Sequence, residues 1–243
     1  MKLKAILMCC FLLIAGTVMA GTDGKKTGAP EGVVAVDLGL PSGLKWANMN
    51  VGATKPEGYG DNYAWGETEA KKSKKSMKTY KFQYSRKDPS DTTPPMTKYW
   101  PDGAKVWIGL HSFPSKGDNK AVLEPEDDAA VANWGDGWRM PTSDEVLELE
   151  DNTTQEFVTV NGVNGVRFTS KTNGNSIFLP TAGRLKSTRK QDWKKRGTYW
   201  TSSLYTNDPI EAQIFGFYSS TSYFYTDHQM SRSLAASVRA VKK

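Results

Sequence analysis

The chain has almost no cysteine. Its only two, Cys9 and Cys10, stand side by side in an apolar stretch near the N-terminus. Beyond residue 20 there is none. A mature chain cut there forms no disulfide, and thiol catalysis and cysteine-ligated metals are excluded for it. Histidine is nearly absent too, with His111 and His228 alone. Neither sits in a nucleophile motif, so a Ser-His-Asp triad has no evident base. Their separation along the chain also excludes a two-histidine zinc motif at helical spacing. There is no P-loop, no GxGxxG and no short repeat, which removes the usual nucleotide motifs and repeat architectures. Long apolar runs are missing except for Ile6 to Val18. That run falls short of the ~20 residues a spanning helix needs, so the mature chain is expected to have no membrane span.

What the N-terminus does have is a leader pattern. Lys2 and Lys4 form a positive start, the apolar run follows, and Val18-Met19-Ala20 precedes Gly21. This predicts a signal peptide over 1–20 and an exported protein, periplasmic, cell-surface or extracellular. Cys9 comes too early for a lipoprotein cut. Without residues 1–20 the chain keeps 30 basic and 26 acidic residues, a mild net charge of +4. No nucleic-acid partner is expected from that balance. The basic charge is nevertheless local: Lys71, Lys72, Lys74, Lys75, Lys78, Lys81, Arg86 and Lys87 fall within 17 residues. Either Lys71, Lys72, Lys74, Lys75 and Lys78 form an electrostatic patch for an anionic partner, or they line a solvated loop. Tyr80, Phe82 and Tyr84 alternate at the end of the run, which suits an extended segment.

Residues 21–32 are polar and Gly-rich and read as a flexible lead-in; residues 33–243 read as one domain with a Lys-rich insertion around 71–103. Val33 to Leu38 and Leu44 to Ala47 read as strands around the turn Pro41-Ser42-Gly43. Glu126 to Trp134 suits a short helix with acids at its start. Thr142 and Glu145 match a capping box, which predicts a second helix to about Asp151 with Val146, Leu147 and Leu149 on its buried side. Strands follow at 156–160, 165–170, 176–179, 198–203, 212–218, 222–226 and 237–241, with hairpin signals at Asn161-Gly162 and Asn173-Gly174. The first and last strands are expected to pair. The fold class is α+β, a looped and mostly antiparallel β-core with two short helices and no disulfides.

Several motifs then occur in order: DLGLPSGLKWANMNVGA from Asp37, YAWGE from Tyr63, DDAA from Asp127, GWRMPT from Gly137, NGVNG from Asn161, TNGNSIFLPTAG from Thr172, YWTSS from Tyr199 and SVRAV from Ser237. Together they resemble the Fibrobacter succinogenes major paralogous domain family, found in exported proteins of gut Bacteroidetes. The likeness spans about 37–241. It departs at Ala240, where the family usually has proline, and in the lysine-rich stretch. It implies a C-type-lectin-like fold, and fold alone carries no chemistry. The formylglycine-generating relatives of that fold use cysteines, which this mature chain lacks. Within the motifs, Trp138, Met140, Tyr199 and Trp200 are expected in the core. Ser202 and Ser203 are expected to satisfy nearby backbone, and Arg239 to meet an acid such as Asp144 or Glu145.

Glu124, Glu126, Asp127 and Asp128 cluster, yet acids at a helix start are stabilising without any catalysis. A carboxylate-based glycan hydrolase stays as a remote alternative. No cofactor is expected. Calcium is the one ion left open, through oxygen-rich loops at Asp118-Asn119 and Asn173–Asn175 that lack EF-hand spacing. Most suggestive is Tyr199 to Tyr225, with nine aromatics in 27 residues. Tyr205, Tyr218, Tyr223 and Tyr225, with His228, sit among Ser, Thr and Asn, a mix suited to adaptable binding loops. The other reading of each tyrosine is cover for a small β-core. The leading expectation is a non-catalytic, secreted or surface-exposed module that binds a glycan or protein ligand through these residues. The alternative is a structural component of a surface appendage or envelope assembly.

Overall fold

A computed structural model describes residues 28–72, 79–83, 90–108, 110–135, 137–186, 189–219 and 223–243. The leader expected over 1–20, the lead-in as far as residue 27, and Lys74, Lys75, Lys78, Tyr84, Arg86 and Lys87 lie outside the described residues. No cysteine falls among the described residues, so no disulfide links them.

Strands β1 (Ala35–Asp37) and β2 (Lys45–Ala47) form where short apolar stretches flank the expected turn. Gly43 closes that turn at φ 71°, a conformation open to glycine, and its N–H donates to Leu40 O at 2.9 Å. The last strand, β15 (Val241–Lys242), pairs with β2 and not with β1 as expected. Trp46 is fully buried and needs cover on both sides, so β2 takes the centre. The ends of the domain still meet, because Val36 and Val241 both pair with Trp46.

Next come β3 (Tyr63–Ala64) and a hairpin of β4 (Lys105–Ile108) with β5 (His111–Pro114). The two helices follow a single 3-10 turn over Pro125–Asp127. Helix α1 (Ala129–Trp134) is capped by Asp128, which accepts from the N–H groups of Ala130 and Val131. Helix α2 (Ser143–Asn152) starts at the expected capping box, with Thr142 and Glu145 exchanging both bonds. Val146 and Leu149 are buried. Leu147 faces solvent, contrary to expectation, because a position between i and i+3 falls off the inward stripe.

Strands β6 (Thr153–Val160), β7 (Val163–Ser170) and β8 (Ser176–Pro180) make an antiparallel meander. Asn161 and Gly162, at φ 48° and 77°, form the two-residue turn between Val160 and Val163. Beyond it lie β9 (Arg184–Lys186), β10 (Arg189–Gln191), β11 (Arg196–Leu204), β12 (Glu211–Tyr218) and β13 (Tyr223–Ser231). β14 (Ala235–Ala236) joins β9 to β3. The described residues are thus mostly antiparallel β-sheet with two short helices, consistent with the α+β class.

Two apolar clusters fill the interior. One gathers Trp46, Val146, Phe168, Tyr199, Phe215 and Phe217; the other gathers Trp65, Tyr99, Trp134, Trp138 and Trp200. They meet across β11, where successive side chains point to opposite faces, so Tyr199 enters one cluster and Trp200 the other. Ser202 Oγ donates to Pro141 O, and Ser203 Oγ accepts from Ser143 N, which ties β11 to the start of α2.

The stretch 71–103 is no loose insertion where it is described. Tyr80, Phe82, Tyr99 and Trp100 are all buried. The Tyr80 hydroxyl donates to Trp65 O at 2.7 Å, and Tyr99 packs edge-on to Trp65. Arg239 also departs from expectation. Glu145 pairs with Arg139, while Arg239 lies fully buried and meets only oxygens of neutral groups. Its Nε and Nη2 donate to Asn50 Oδ1, its Nη1 to Ala47 O, and its Nη2 also to Phe178 O.

Candidate functional site

Four of the five singled-out C-terminal residues come together on the sheet β11-β12-β13. Tyr218 stands opposite Arg196 on one side and Tyr223 on the other. Tyr225 follows Tyr223 by two positions and so shares its face. A register shift between Ile214 and Gly216 brings His228 into the same row. The Tyr225 and His228 rings stack at 4.5 Å, Tyr223 and Tyr225 at 6.2 Å, and Tyr218 lies 6.1 Å from Tyr225. Arg196, buried at the start of β11, supports the group. Its guanidinium sits 4.6 Å from the Tyr218 ring and 5.0 Å from the Tyr225 ring. Its Nε donates to the Tyr225 hydroxyl at 2.8 Å.

Within that row the roles divide by exposure. Tyr223 is 51% exposed, His228 is exposed and Tyr218 is half-buried. Tyr225 is only 2% exposed, and burial raises its hydroxyl above the ordinary tyrosine range. It is a platform under the others rather than a surface for a ligand. The face offers flat rings, hydroxyls and an imidazole edge on a rigid base. Arg196 was not anticipated. The one available signal was its place in the basic run Lys194-Lys195-Arg196, directly before the aromatic segment.

Tyr205 is elsewhere. It opens the turn between β11 and β12, at the far end of the hairpin from Tyr218, and its N–H donates to Glu211 O. Near that end lies an open groove of about 1040 Å³, lined by Met96, Trp100, Trp107, Asp208 and Ile210 among others. Trp107 is 63% exposed and Leu110, at the tip of the β4–β5 hairpin, is 93% exposed. No spacing in the sequence marks this groove, because its walls come from four separate stretches of the chain.

Of the five lysines expected to form a basic patch, only Lys71 and Lys72 lie among the described residues. Lys71 is buried, pairs with Glu67 and donates to Thr79 O at 2.8 Å. Lys72 pairs with Asp61 at 2.9 Å. Lys81 pairs with Asp127 at 2.6 Å. Nearby acids thus neutralise the described lysines of the run.

Glu124, Glu126 and Asp127 do cluster, with carboxylate oxygens within 4.8 Å of one another. The ammonium of Lys98 already sits among them, 2.5 Å from Asp127, 3.2 Å from Glu126 and in contact with Glu124. Hydrogen bonds from Lys120 and Lys98 hold Glu124 down to about 2. Burial alone would raise Asp127, but hydrogen bonds from Lys81, Lys98 and Tyr99 outweigh it and hold the group below its ordinary value. Asp128 is separate: it caps α1 and also accepts from Met140 N at 2.8 Å, and burial pushes it up to about 6. The oxygen-rich loops expected as calcium candidates use their side chains to hold backbone of distant segments. Asp118 accepts from the N–H groups of Tyr99 and Trp100, and Asn119 from that of Asp102. Asn173 and Asn175 both donate to Asp37 O.

No protein family, curated protein or solved structure matches the chain. Among the described residues no helix is long and apolar enough to cross a membrane.

Proposed function

We propose that the chain is an exported, non-catalytic binding module of C-type-lectin-like build. Its ligand is a glycan or a protein held on the sheet β11-β12-β13. The observation that carries this reading is the row of Tyr218, Tyr223 and His228, seated on Tyr225 and locked from below by Arg196. A rigid, half-exposed set of tyrosines gives large contact area at small cost in side-chain entropy. The ordered motifs support the family likeness, and many of their residues take structural positions. Thr142 caps a helix, Trp46 and Trp200 are core, and Arg239 joins three segments.

The test is a glycan array of residues 21–243, run with and without chelator, beside the double variant Tyr218→Ala/Tyr223→Ala. A discrete set of sugars should bind, and the variant should lose at least ~tenfold in affinity with an unchanged melting temperature. Equal binding by the variant overturns the site. Loss of binding with chelator alone would place a metal in recognition.

One observation favours a second reading, a component of an envelope or appendage assembly. Trp107, Leu110 and Phe113 leave apolar surface uncovered on a single hairpin, beside Ile210 in the groove. In that case the protein self-associates in sedimentation, and Trp107→Asp/Leu110→Asp returns it to monomer. A wild-type protein that stays monomeric at high concentration removes this reading.

A further inference from the structure

Next to the tyrosine row lies a second run of positive charge. Between residues 184 and 196 there are seven basic side chains and one acid, Asp192, a local charge of +6. The whole chain has a net charge of +6, so the rest balances to zero. Lys186, Arg189, Lys190, Lys194 and Lys195 are all exposed. None of these five has an ion-pair partner among the described residues, and Asp192 approaches only Arg184, at 3.9 Å. This is the reverse of Lys71, Lys72 and Lys81, each of which has an acid beside it. Uncompensated like charges held on one short hairpin repel one another, so the arrangement raises the energy of the free protein and favours an anion.

Strands β9 and β10 are paired, and the chain after β10 runs into the tyrosine row. Lys186 and Arg189 face each other across β9 and β10. The Trp193 ring, 40% exposed, holds the ammonium groups of Lys190 and Lys194 at 4.7 and 4.6 Å and packs against Tyr59. The Lys195 carbonyl accepts from both the N–H and the hydroxyl of Ser219, the residue after Tyr218. Arg196 then passes under Tyr218 and Tyr225.

We propose that Lys186, Arg189, Lys190, Lys194 and Lys195, together with Tyr218 and Tyr223, form one continuous face for an anionic polysaccharide, a chain of sugars bearing carboxylate or sulfate groups. The inference rests on the reading of Tyr218 and Tyr223 as a ligand face and names the class of ligand. Separate exposed cations strung along a hairpin match a polymer with repeated charges. A single small anion would call for convergent donors in an enclosed site. Single-stranded nucleic acid also carries repeated charge, but it is held by bases stacked on open aromatic faces. Here the Trp193 ring is already in contact with two ammonium groups and Tyr59, which leaves Tyr218 and Tyr223 as the open rings beside five exposed cations.

Affinity electrophoresis of the purified protein through gels containing dextran sulfate, polygalacturonate or neutral dextran tests this. Dextran sulfate or polygalacturonate should retard the protein, neutral dextran should not, and added salt should weaken the effect steeply. The variant Lys186→Gln/Arg189→Gln/Lys190→Gln/Lys194→Gln/Lys195→Gln should lose at least ~tenfold in affinity, while Lys190→Arg/Lys194→Arg should keep it. Tyr218→Ala/Tyr223→Ala leaves the charge untouched and should weaken binding about fivefold or more. If it has no effect, the attraction is charge alone and the continuous face is overturned. Tighter binding of polythymidylate than of either acidic polysaccharide overturns the ligand class. Binding of neutral sugars that survives the five-site variant ends the inference while sparing the proposed module. Binding of no sugar at all ends the inference and leaves the proposed module with a protein as its only ligand. Circular dichroism of each variant separates these outcomes from misfolding.

Discussion

Two arginines show how far single residues decide this fold. Arg239 and Arg232 are both fully buried, and no carboxylate pairs with either among the described residues. Arg239 is satisfied by Asn50 and two backbone carbonyls. Arg232 donates to the Tyr80 hydroxyl and to the carbonyls of Lys98, Tyr99 and Pro209, and its guanidinium lies 4.8 Å from the Trp65 ring. Burial disfavours the charged form and pulls Arg239 down to about 10, still far above neutral pH. Carbonyl dipoles and ring faces therefore take the place of counter-ions. Arg239→Met keeps the stem and strands those oxygens, and should cost about 3 kcal/mol or more in denaturant unfolding. A variant as stable as the parent would contradict this role. The sequence points to an acid for Arg239 because acids are visible in it. Backbone carbonyls carry no residue signature, so the true partners could not be read in advance.

At the level of elements, local rules worked where the chemistry is local. Thr142 with Glu145 and Asn161 with Gly162 each act within four residues, and both appear as expected. Leu147 and the stretch 71–103 show the limit. The first needed the helix phase, and the second needed to know that Trp65 and Arg232 wait for Tyr80 and Tyr99. That stretch is fastened to the 3-10 turn by Lys81, Lys98 and Tyr99, all on Asp127. The pH dependence follows from these acids. Asp127 and Glu124 titrate lower in the folded chain than their ordinary values of 3.8 and 4.5. Their contribution is present above those values and is lost as pH falls below them, for Glu124 toward about 2. Asp128 has the opposite sign. It is raised from 3.8 to about 6, so the cost of its ionisation is present in full above about pH 6 and is relieved as pH falls from there to 3.8, with no further change below. The melting temperature should therefore fall mainly between about pH 4 and pH 2, and Asp127→Asn should flatten that fall. A variant with the same acid slope as the parent would show that the cluster does not fasten the stretch.

For the whole molecule, the decisive feature is where charge goes uncompensated. Two basic runs are visible in the chain, and the longer one, at 71–87, stands out first. Ion pairing reverses the order: the described lysines of that run are paired, while the hairpin at 186–195 is left open. Pairing across 11 and 46 residues is a property of the fold and leaves no trace in composition. The tyrosine row was legible because aromatic density survives folding. Its division into an exposed rim and a buried platform was not, since a register shift in β13 decides it. The groove was illegible for a similar reason, its walls being brought together only by the tertiary fold.

Hydrogen exchange of the protein saturated with the tightest sugar from the array tests the central claim most directly. The account predicts slowed exchange at 189–197, 218–219 and 223–228, with the groove segments 103–107 and 206–210 unchanged. Protection confined to the groove segments would contradict it, and would move the ligand to Trp107 and away from the tyrosines.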